Sequence, residues 1–349
     1  MTPLARDLAR RIAAHGPLPL ETVMAEAAAA YYADNQALGR GGDFITAPEI
    51  SQMFGELIGL WVGVAWQATG GGPFHLVELG PGRGTLMADA WRALGKVGTA
   101  TQQARVHLVE TSPRLHQAQA AALAGLEATP TWHADLATLP GDAPLIVVAN
   151  EFLDALPIRQ AIRRPDGWHE RRVGLDGERL TLVDGPLIDP ATLRPAHRDA
   201  PSGAPSGVIA ETCPAAQAVV ADLARRLSAQ GGAALIIDYG PATSAPGDSL
   251  QAVKRHAAVD PLDHLGEADL TAHVDFEALA DTARAAGLTV DGPTPQGEWL
   301  QALGITTRAQ MLARNATPRQ RDHISSALQR LTDPAHMGHL FKVLTLTPA

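Results

Sequence analysis

The sequence has little cysteine, no excess of basic charge and no long apolar run, and each shortage excludes a class of protein. Cys213 is the single cysteine among 349 residues, so neither an intramolecular disulfide framework nor a cysteine-based zinc cluster can form. Lys and Arg number 28 against 37 Asp and Glu, which gives a net charge of −9. A protein that grips a phosphate backbone needs a basic face, so we expect no nucleic-acid partner.

No stretch is long enough to span a membrane. The longest apolar run, 57–66, is about half of the roughly 20 residues that a spanning helix needs. Residues 1–16 interleave Arg and Asp with Leu and Ile, which is typical of an amphipathic helix and not of a secretory signal. With the single cysteine, this favours a cytoplasmic location without membrane insertion. The acidic balance suits a small-molecule substrate or a basic protein partner, and the oligomeric state stays unknown.

The chain is long enough for one large domain or for a core with additions. Helical spacing covers 4–15 and 20–33, and a third helix is predicted from near Pro48, with Thr46 as its cap, to Trp61. Short apolar runs then alternate with helical stretches, which indicates a mostly parallel sheet covered on both faces. The predicted strands are 75–79, 105–110, 131–134, 144–149, 233–238, 288–291 and 340–346. The predicted helices between them are 85–94, 113–123, 214–229 and 276–286.

Three regions interrupt this alternation. Residues 158–210 contain a hairpin signal that turns around Asp176 and Gly177, residues 241–272 show no clear period, and 297–334 are predicted to be helical. Residues 39–43 and 194–207 are predicted loops. The sequence therefore predicts an N-terminal helical region over 1–72 and an α/β core over 73–349. The insertions follow strands four and five and separate strands six and seven.

The strongest chemical signal follows the first strand of the predicted sheet. Glu78 lies on the strand, and Gly80, Gly82 and Gly84, with Pro81 among them, form a G-x-G-x-G turn before the next helix. Glycines allow tight turns and let a ligand approach main-chain amides. A dinucleotide site requires G-x-G-x-x-G, whereas this spacing matches motif I of class I S-adenosylmethionine (SAM) methyltransferases. SAM is therefore the predicted cofactor, and a glycine-rich connection without a ligand is the alternative.

Polar residues at the ends of the next strands support this prediction. Glu110, followed by Thr111, lies where a Rossmann-like fold places the carboxylate that binds the ribose hydroxyls. Asp135, followed by Leu136, lies where a contact to adenine is expected, and a helix N-cap is the alternative for it. Asn150 ends the fourth strand and is a further predicted cofactor contact. The sheet edge that carries these residues is therefore the predicted cofactor site.

Seven segments spread over nearly the whole chain share one resemblance. They are 42–59, 77–85, 150–157, 237–240, 248–252, 266–276 and 339–343. In them the chain resembles the MidA-type family of class I SAM-dependent methyltransferases. The resemblance implies a Rossmann-like fold with a seven-stranded sheet, whose N-terminal helices, here 1–72, form a lid over the cofactor. Tyr31, Tyr32 and 43–49 are the candidate lid residues, with simple packing as the alternative.

The same resemblance implies a substrate. The mitochondrial members of this family are complex I assembly factors, implicated in methylating an arginine of the subunit that lines the quinone site. An arginine-bearing protein is therefore the implied partner of this chain, with the equivalent complex I subunit as the suspected acceptor. Two other functions stay open: methylation of a small molecule, and a complex I assembly chaperone that keeps the fold without turnover.

The resemblance makes Asn150, Glu151 and Asp154 the catalytic candidates. A guanidinium stays protonated at neutral pH, so carboxylates that grip it must orient one nitrogen. A carboxylate or water must receive the proton that leaves. Glu151 is favoured for this, Asp154 has an N-cap or a salt bridge as its alternative, and Asn150 presents its amide or its backbone carbonyl to the acceptor nitrogen.

Glu211, Tyr239 and His273 are secondary candidates. Glu211 is either a carboxylate of the pocket or an exposed strand residue, and Tyr239 is either a substrate contact or a partly buried side chain. His273 is either a general base or a structural hydrogen-bonding residue. No third ligand stands at a convincing spacing from His273, so no metal is predicted.

Overall fold

The computed structural model describes residues 1–34, 46–198 and 206–349, and these form two compact units. The core unit comprises Ile45–Phe152, Val219–Ala242 and Leu279–Ala349. The accessory unit comprises Met1–Phe44, Leu153–Ala218 and Thr243–Ala278. The predicted loop at 39–43 and residues 199–205 of the one at 194–207 lie outside the described residues. The described part of the second loop includes the short helix Pro195–Arg198.

The helices and strands alternate along the described chain. The helices are α1 (Pro3–His15), α2 (Leu20–Asp34), α3 (Ala47–Ile50), α4 (Gln52–Ala68), α5 (Thr85–Leu94), α6 (Ala100–Gln103), α7 (Pro113–Leu123), α8 (Pro195–Arg198), α9 (Pro214–Gln230), α10 (Phe276–Ala285), α11 (Gln296–Ala302), α12 (Ile305–Ala313), α13 (Pro318–Thr332) and α14 (Met337–Leu340). The strands are β1 (Leu18–Pro19), β2 (Phe74–Leu79), β3 (Ala104–Val109), β4 (Thr131–His133), β5 (Leu145–Asn150), β6 (Arg159–Arg164), β7 (Gly167–Asp176), β8 (Arg179–Leu187), β9 (Ile209–Thr212), β10 (Gly232–Tyr239), β11 (Gln251–Lys254), β12 (Ala257–Val259), β13 (Asp269–Thr271), β14 (Leu288–Pro295) and β15 (Phe341–Pro348).

The core unit is built on a seven-stranded sheet with the order β14-β15-β10-β5-β2-β3-β4. β15 is antiparallel to β10 and β14, and the other neighbours are parallel. Every residue of β2 and β5 is buried, which explains why apolar residues dominate both strands instead of alternating with polar ones. The predicted Rossmann-like, mostly parallel sheet is confirmed. The strand order reverses between β2 and β5, and in open α/β sheets ligands bind at the carboxyl ends of strands beside such a reversal.

The helix predicted to start near Pro48 is two helices. Ser51 is extended, with φ −162° and ψ 138°, and its hydroxyl accepts a hydrogen bond from the N–H of Met53 at the start of α4. A capping serine of this kind ends α3 and begins α4. α4 packs so closely on α5 that a Cβ at Gly59 would lie 2.2 Å from the carbonyl oxygen of Ala90. The absence of a side chain at Gly59 makes this approach possible. In the described ranges, no helix is both long and apolar enough to cross a membrane.

The accessory unit holds two smaller sheets. One has the order β1-β7-β6-β9, with β8 paired to β7, and the other has the order β12-β11-β13. The predicted hairpin around Asp176 and Gly177 is confirmed as β7 and β8. The second sheet lies in 241–272, where the sequence showed no period. A core of buried residues joins these sheets to α1 and α2, with Leu8, Met24 and Val173 at its centre.

The two units divide the chain at other places than the predicted boundary between residues 72 and 73. α4 lies in the core unit, whereas α1 and α2 belong with Leu153–Ala218 and Thr243–Ala278. The physical reason is the contact between α4 and α5, which makes α4 a covering helix of the core sheet. The lid role of the N-terminal helices stays a prediction.

Three histidines form a hydrogen-bonded row across β2, β3 and β4. Nδ1 of His75 lies 2.9 Å from Nε2 of His107, and Nδ1 of His107 lies 2.9 Å from Nε2 of His133. One end of the row contacts Oδ1 of Asp142 over 2.8 Å, and the other contacts Oγ1 of Thr138 over 3.0 Å. Burial lowers the pKa of His107 to about 4, so the central imidazole is neutral at physiological pH.

Candidate cofactor and methyl-transfer site

The turn after β2 depends on its glycines. Gly80, Gly82 and Gly84 have φ of 61°, 52° and 81°, a left-handed region that glycine adopts without steric cost. A Cβ at Gly80 would lie 2.8 Å from the ring of Phe152, and a Cβ at Gly84 would lie 3.1 Å from Cα of Gln119. Gly84 is also the N-cap of α5, so the turn delivers the free N–H groups at the start of that helix to a ligand.

Glu78 is the buried acid beneath this turn. Its side chain belongs to a residue that is 3% exposed, and its Oε2 has no hydrogen-bond partner among the residues described. Burial raises the pKa of Glu78 to about 8, against the opposing effect of a hydrogen bond from the backbone of Met87. Glu78 is therefore mostly protonated at neutral pH, and its unpaired oxygen needs a partner from a ligand or from water.

Glu110 is held in place by its neighbours at the end of β3. Its Oε1 accepts a hydrogen bond of 2.8 Å from the N–H of Ser112, and its Oε2 accepts one of 3.3 Å from Nε2 of Gln119. Burial raises the pKa of Glu110. The carboxylate is thus fixed at the position where a ribose contact is predicted, one strand from the glycine turn.

Gln119 is a site residue that the sequence analysis missed. It is fully buried on α7, and its Nε2 also donates to the carbonyl of Gly82 over 2.8 Å. Its Oε1 accepts a hydrogen bond of 2.7 Å from Nε1 of Trp132. One side chain therefore joins the glycine turn, Glu110 and the end of β4. The available signal was its position four residues from both Leu115 and Leu123, on the buried face of the helix.

Asp135 acts as a helix cap, which was its alternative role. The residue is exposed, and its Oδ1 accepts a hydrogen bond of 3.2 Å from the N–H of Thr138 at the start of a short 3-10 helix that begins at Leu136. Thr111, beside Glu110, is also exposed. The adenine contact of Asp135 stays a prediction, since an exposed carboxylate that caps a helix keeps room for a ligand hydrogen bond.

The end of β5 brings Asn150 and Glu151 to the same edge of the sheet. Oε1 of Glu151 accepts hydrogen bonds from the N–H of Ala47 over 2.9 Å and from Nδ2 of Asn150 over 3.1 Å. Oδ1 of Asn150 is buried and has no hydrogen-bond partner in the part of the chain that the structure describes. Glu49, two residues after Ala47, accepts a hydrogen bond of 2.7 Å from the hydroxyl of Thr85. Segment 46–50 is therefore fastened to both β5 and α5.

The remaining candidates are Asp154, Glu211, Tyr239 and His273, and each has contacts of its own. Asp154 belongs to the accessory unit, where it is 8% exposed and its carbonyl accepts a hydrogen bond from the N–H of Ala272. Glu211 is in the same unit and accepts hydrogen bonds from Gln160 and Ser249, so it is a held carboxylate and not an exposed one. Tyr239, in the core unit, is buried against Phe341.

His273 is exposed, and its backbone N–H donates to the hydroxyl of Ser249. This hydrogen bond comes from the main chain, so it assigns no role to the imidazole. Within ranges 1–34, 46–198 and 206–349, no group of His, Cys, Asp and Glu side chains has the arrangement of a metal site.

The core unit fits a molecule with the polarity of SAM. Oε2 of Glu78 and Oδ1 of Asn150 are buried without a partner among the described residues, so each calls for a polar group of a bound ligand. The cradle at Gly80 and Gly84 has no room for side chains. Glu110 supplies a carboxylate for vicinal hydroxyls. These groups lie at the carboxyl ends of β2, β3 and β5, and the reversal of the sheet order lies between β2 and β5.

Comparisons with known proteins agree with this geometry. A family model described as "Putative S-adenosyl-L-methionine-dependent methyltransferase" matches residues 57–294. The mitochondrial protein arginine methyltransferase NDUFAF7 of Mus musculus is 35% identical, over 100% of this chain and 85% of its own length. The Drosophila melanogaster homolog is 37% identical, over 99% of this chain and 85% of its own length.

Solved structures give the same result. A Burkholderia thailandensis protein bound to S-adenosyl-homocysteine has a TM-score of 0.84 and 30% identity, over 99% of this chain and 91% of that one. A native structure from the same organism has a TM-score of 0.80 and 31% identity, with the same coverage of both chains. The family model spans more than half of the chain, and these relatives span nearly all of it. The chain belongs to this family of SAM-dependent methyltransferases.

Proposed function

We propose that the chain is a protein arginine N-methyltransferase whose acceptor is the quinone-site subunit of respiratory complex I. The observation that carries the proposal is the sheet edge of the core unit, where the glycine turn, Glu110 and the pair Asn150 and Glu151 follow neighbouring strands. The relatives named protein arginine methyltransferases support arginine as the acceptor. The choice of the complex I subunit as acceptor rests on the MidA-type resemblance. We also propose a cytoplasmic location, which rests on the single cysteine.

Residues of the core unit divide the binding of SAM among themselves. The N–H groups at the start of α5 suit the carboxylate at the amino-acid end of SAM. A nearby cation favours the ionised form of a carboxyl group, so Glu78 suits the ammonium group of bound SAM, and Glu110 suits the ribose hydroxyls. Thr111, Asp135 and Leu136 are assigned to the adenosine end. When bound, SAM supplies an electrophilic methyl group on a positively charged sulfur.

The chain's own contribution is to orient the acceptor. A guanidinium stays protonated at neutral pH and is a poor nucleophile, so one of its nitrogens must be held with its lone pair directed at the methyl group. One proton leaves the nitrogen for each methyl group gained. We assign its reception to water and the orientation of the nitrogen to the end of β5, and the catalytic role of Asp154 stays a prediction.

The test uses labelled SAM, the purified complex I subunit and mass spectrometry of the products. We expect label on an arginine of the subunit and a rise in melting temperature with SAM. Gly82→Val should abolish both, because a β-branched residue at a φ of 52° distorts the turn. Gly98→Val is the matched control, since Gly98 has the same φ but lies in open space, and it should keep both.

Three outcomes would contradict the proposal. Label on a metabolite instead of protein would identify a small-molecule methyltransferase. Capture of the subunit without label would identify a chaperone. A melting temperature that does not change at millimolar SAM would show that this chain has lost the cofactor.

A further inference from the structure

The amide of Asn150 has its orientation set by a carboxylate. Nδ2 of Asn150 donates to Oε1 of Glu151, and the N–H of Ala47 donates to the same oxygen. Because the amide nitrogen is used in this contact, the amide oxygen faces away from Glu151. That oxygen is buried without a hydrogen-bond partner among the described residues. Buried carbonyl oxygens are rarely left unpaired in folded proteins, so Oδ1 of Asn150 is prepared for a donor that arrives with a ligand.

The backbone of Glu151 itself is strained. Its φ of 49° lies in the left-handed region, which costs energy for a residue with a Cβ. Its N–H donates to the carbonyl of Ile237 over 2.9 Å, which ties the strained residue to β10. Strained residues other than glycine collect at functional sites. In this conformation the Glu151 side chain contacts Asn150 and Ala47.

The anchor of Glu151 is itself connected to the cofactor turn. Ala47 opens α3, and Glu49 of the same helix accepts a hydrogen bond from Thr85, the first residue of α5. Gly84, directly before Thr85, ends the glycine turn. The orientation of the Asn150 amide therefore depends on hydrogen bonds that begin at the turn where SAM is proposed to bind.

We propose that Glu151 is a positioning residue and that Oδ1 of Asn150 accepts a hydrogen bond from the nitrogen that receives the methyl group. This inference rests on the proposed arginine methyltransferase activity. It replaces the role predicted for Glu151, in which the carboxylate orients the guanidinium and receives the proton. Oε1 of Glu151 already accepts from two protein donors, whereas Oδ1 of Asn150 has no donor among the residues that the structure describes.

The chemistry requires this direction of the amide. An N–H group of the acceptor that donates to Oδ1 has its nitrogen fixed at hydrogen-bond distance, so the lone pair of the nitrogen keeps one direction. A flipped amide would present its NH₂ group and repel that N–H. For each methyl group gained the nitrogen gives up one proton. An amide oxygen is too weak a base to take it, so the proton passes to water.

Four variants test the assignment with labelled SAM and the complex I subunit. Glu151→Gly removes the side chain and suits a φ of 49°, and Glu151→Ala is its companion. Both should lower kcat by roughly 10- to 100-fold, as is usual for residues that orient a reacting group, and leave the Kd for SAM unchanged. Glu151→Gln keeps an oxygen for both donors, so it should recover most of the kcat with the pH profile of the wild type. Asn150→Ala should lower kcat at least as much as Glu151→Gly.

Crystal structures of the Glu151→Gly and Glu151→Gln proteins give a readout that does not need turnover. We expect the Asn150 amide to rotate in the first and to keep its orientation in the second. If Glu151→Gln is as inactive as Glu151→Gly, or loses the acid limb of the pH profile, the charge of Glu151 matters and the inference is wrong. A weakened Kd for SAM in Asn150→Ala would assign the oxygen to the cofactor. If the wild type labels no arginine, the proposed function fails, whereas an unrotated Asn150 in Glu151→Gly contradicts only the positioning role.

Discussion

Replacing Glu78 with glutamine should make the core unit more stable, by an amount that grows with pH. Burial raises the pKa of Glu78 to about 8, from an ordinary value of 4.5. Between these two pH values the folded protein keeps a proton that the unfolded chain has released. The stability associated with neutral Glu78 is therefore complete below pH 4.5 and is lost progressively as the pH rises to about 8.

The size of the effect follows from the shift. Each pH unit in this window lowers the free energy of unfolding by about 1.4 kcal/mol. Glutamine has nearly the same shape and does not titrate. The advantage of Glu78→Gln over the wild type should therefore increase by about 3 kcal/mol between pH 5 and pH 7. Any constant cost of the new NH₂ group cancels, because only the change with pH is compared.

Urea unfolding at several pH values measures this advantage. Tryptophan fluorescence reports on the core unit, which holds every tryptophan except Trp168. Asp7→Asn is a control for loss of a carboxylate. A hydrogen bond from Arg10 lowers the pKa of Asp7, so Asp7 is ionised from pH 5 to 7 in the folded and unfolded chain alike. A Glu78→Gln advantage that stays constant over this range would refute the protonated state of Glu78.

Two further substitutions test the cradle around the glycine turn. Gly84→Ala should lower the free energy of unfolding in urea melts by about 1–3 kcal/mol. The loss should exceed that of Gly98→Ala, because a Cβ at Gly84 would contact the backbone of Gln119 whereas Gly98 faces open space. Equal losses in the two variants would contradict this. Gln119→Leu leaves the N–H of Trp132 and the carbonyl of Gly82 unpaired, so calorimetry should show a Kd for SAM weaker by about tenfold, and an unchanged Kd would show that Gln119 only packs.

The core sheet could be predicted because its strands are buried on both faces. Phe74–Leu79 and Leu145–Asn150 have no exposed residue, so they appear in the sequence as mostly apolar runs between helices with helical spacing. The sheet of 251–271 has strands of only three or four residues. One of these strands, β12, exposes Ala257 and Ala258. Such short strands carry no period that a sequence can show.

The site was predictable where one residue type suits one backbone task. Gly80, Gly82 and Gly84 were found because glycine alone adopts their φ angles freely. Gln119 was missed because its three hydrogen bonds join residues of separate elements. The partners of Glu151 were missed for the same reason, since Ala47 is 104 residues away along the chain.

The hydrogen bonds along the row of three histidines in the core sheet all run in one donor-to-acceptor direction, and the row can accept one extra proton. A hydrogen bond from His75 lowers the pKa of Asp142, so Asp142 is ionised and only accepts. Each imidazole must then donate through Nε2 and accept through Nδ1 along the row. A proton added at Nδ1 of His107 would reverse the donor and acceptor in the hydrogen bonds from His107 to His133 and from His133 to Thr138. The hydroxyl of Thr138 would then donate to the carbonyl of Asp135, 3.0 Å away. A second proton would set two N–H groups face to face and break a link between strands.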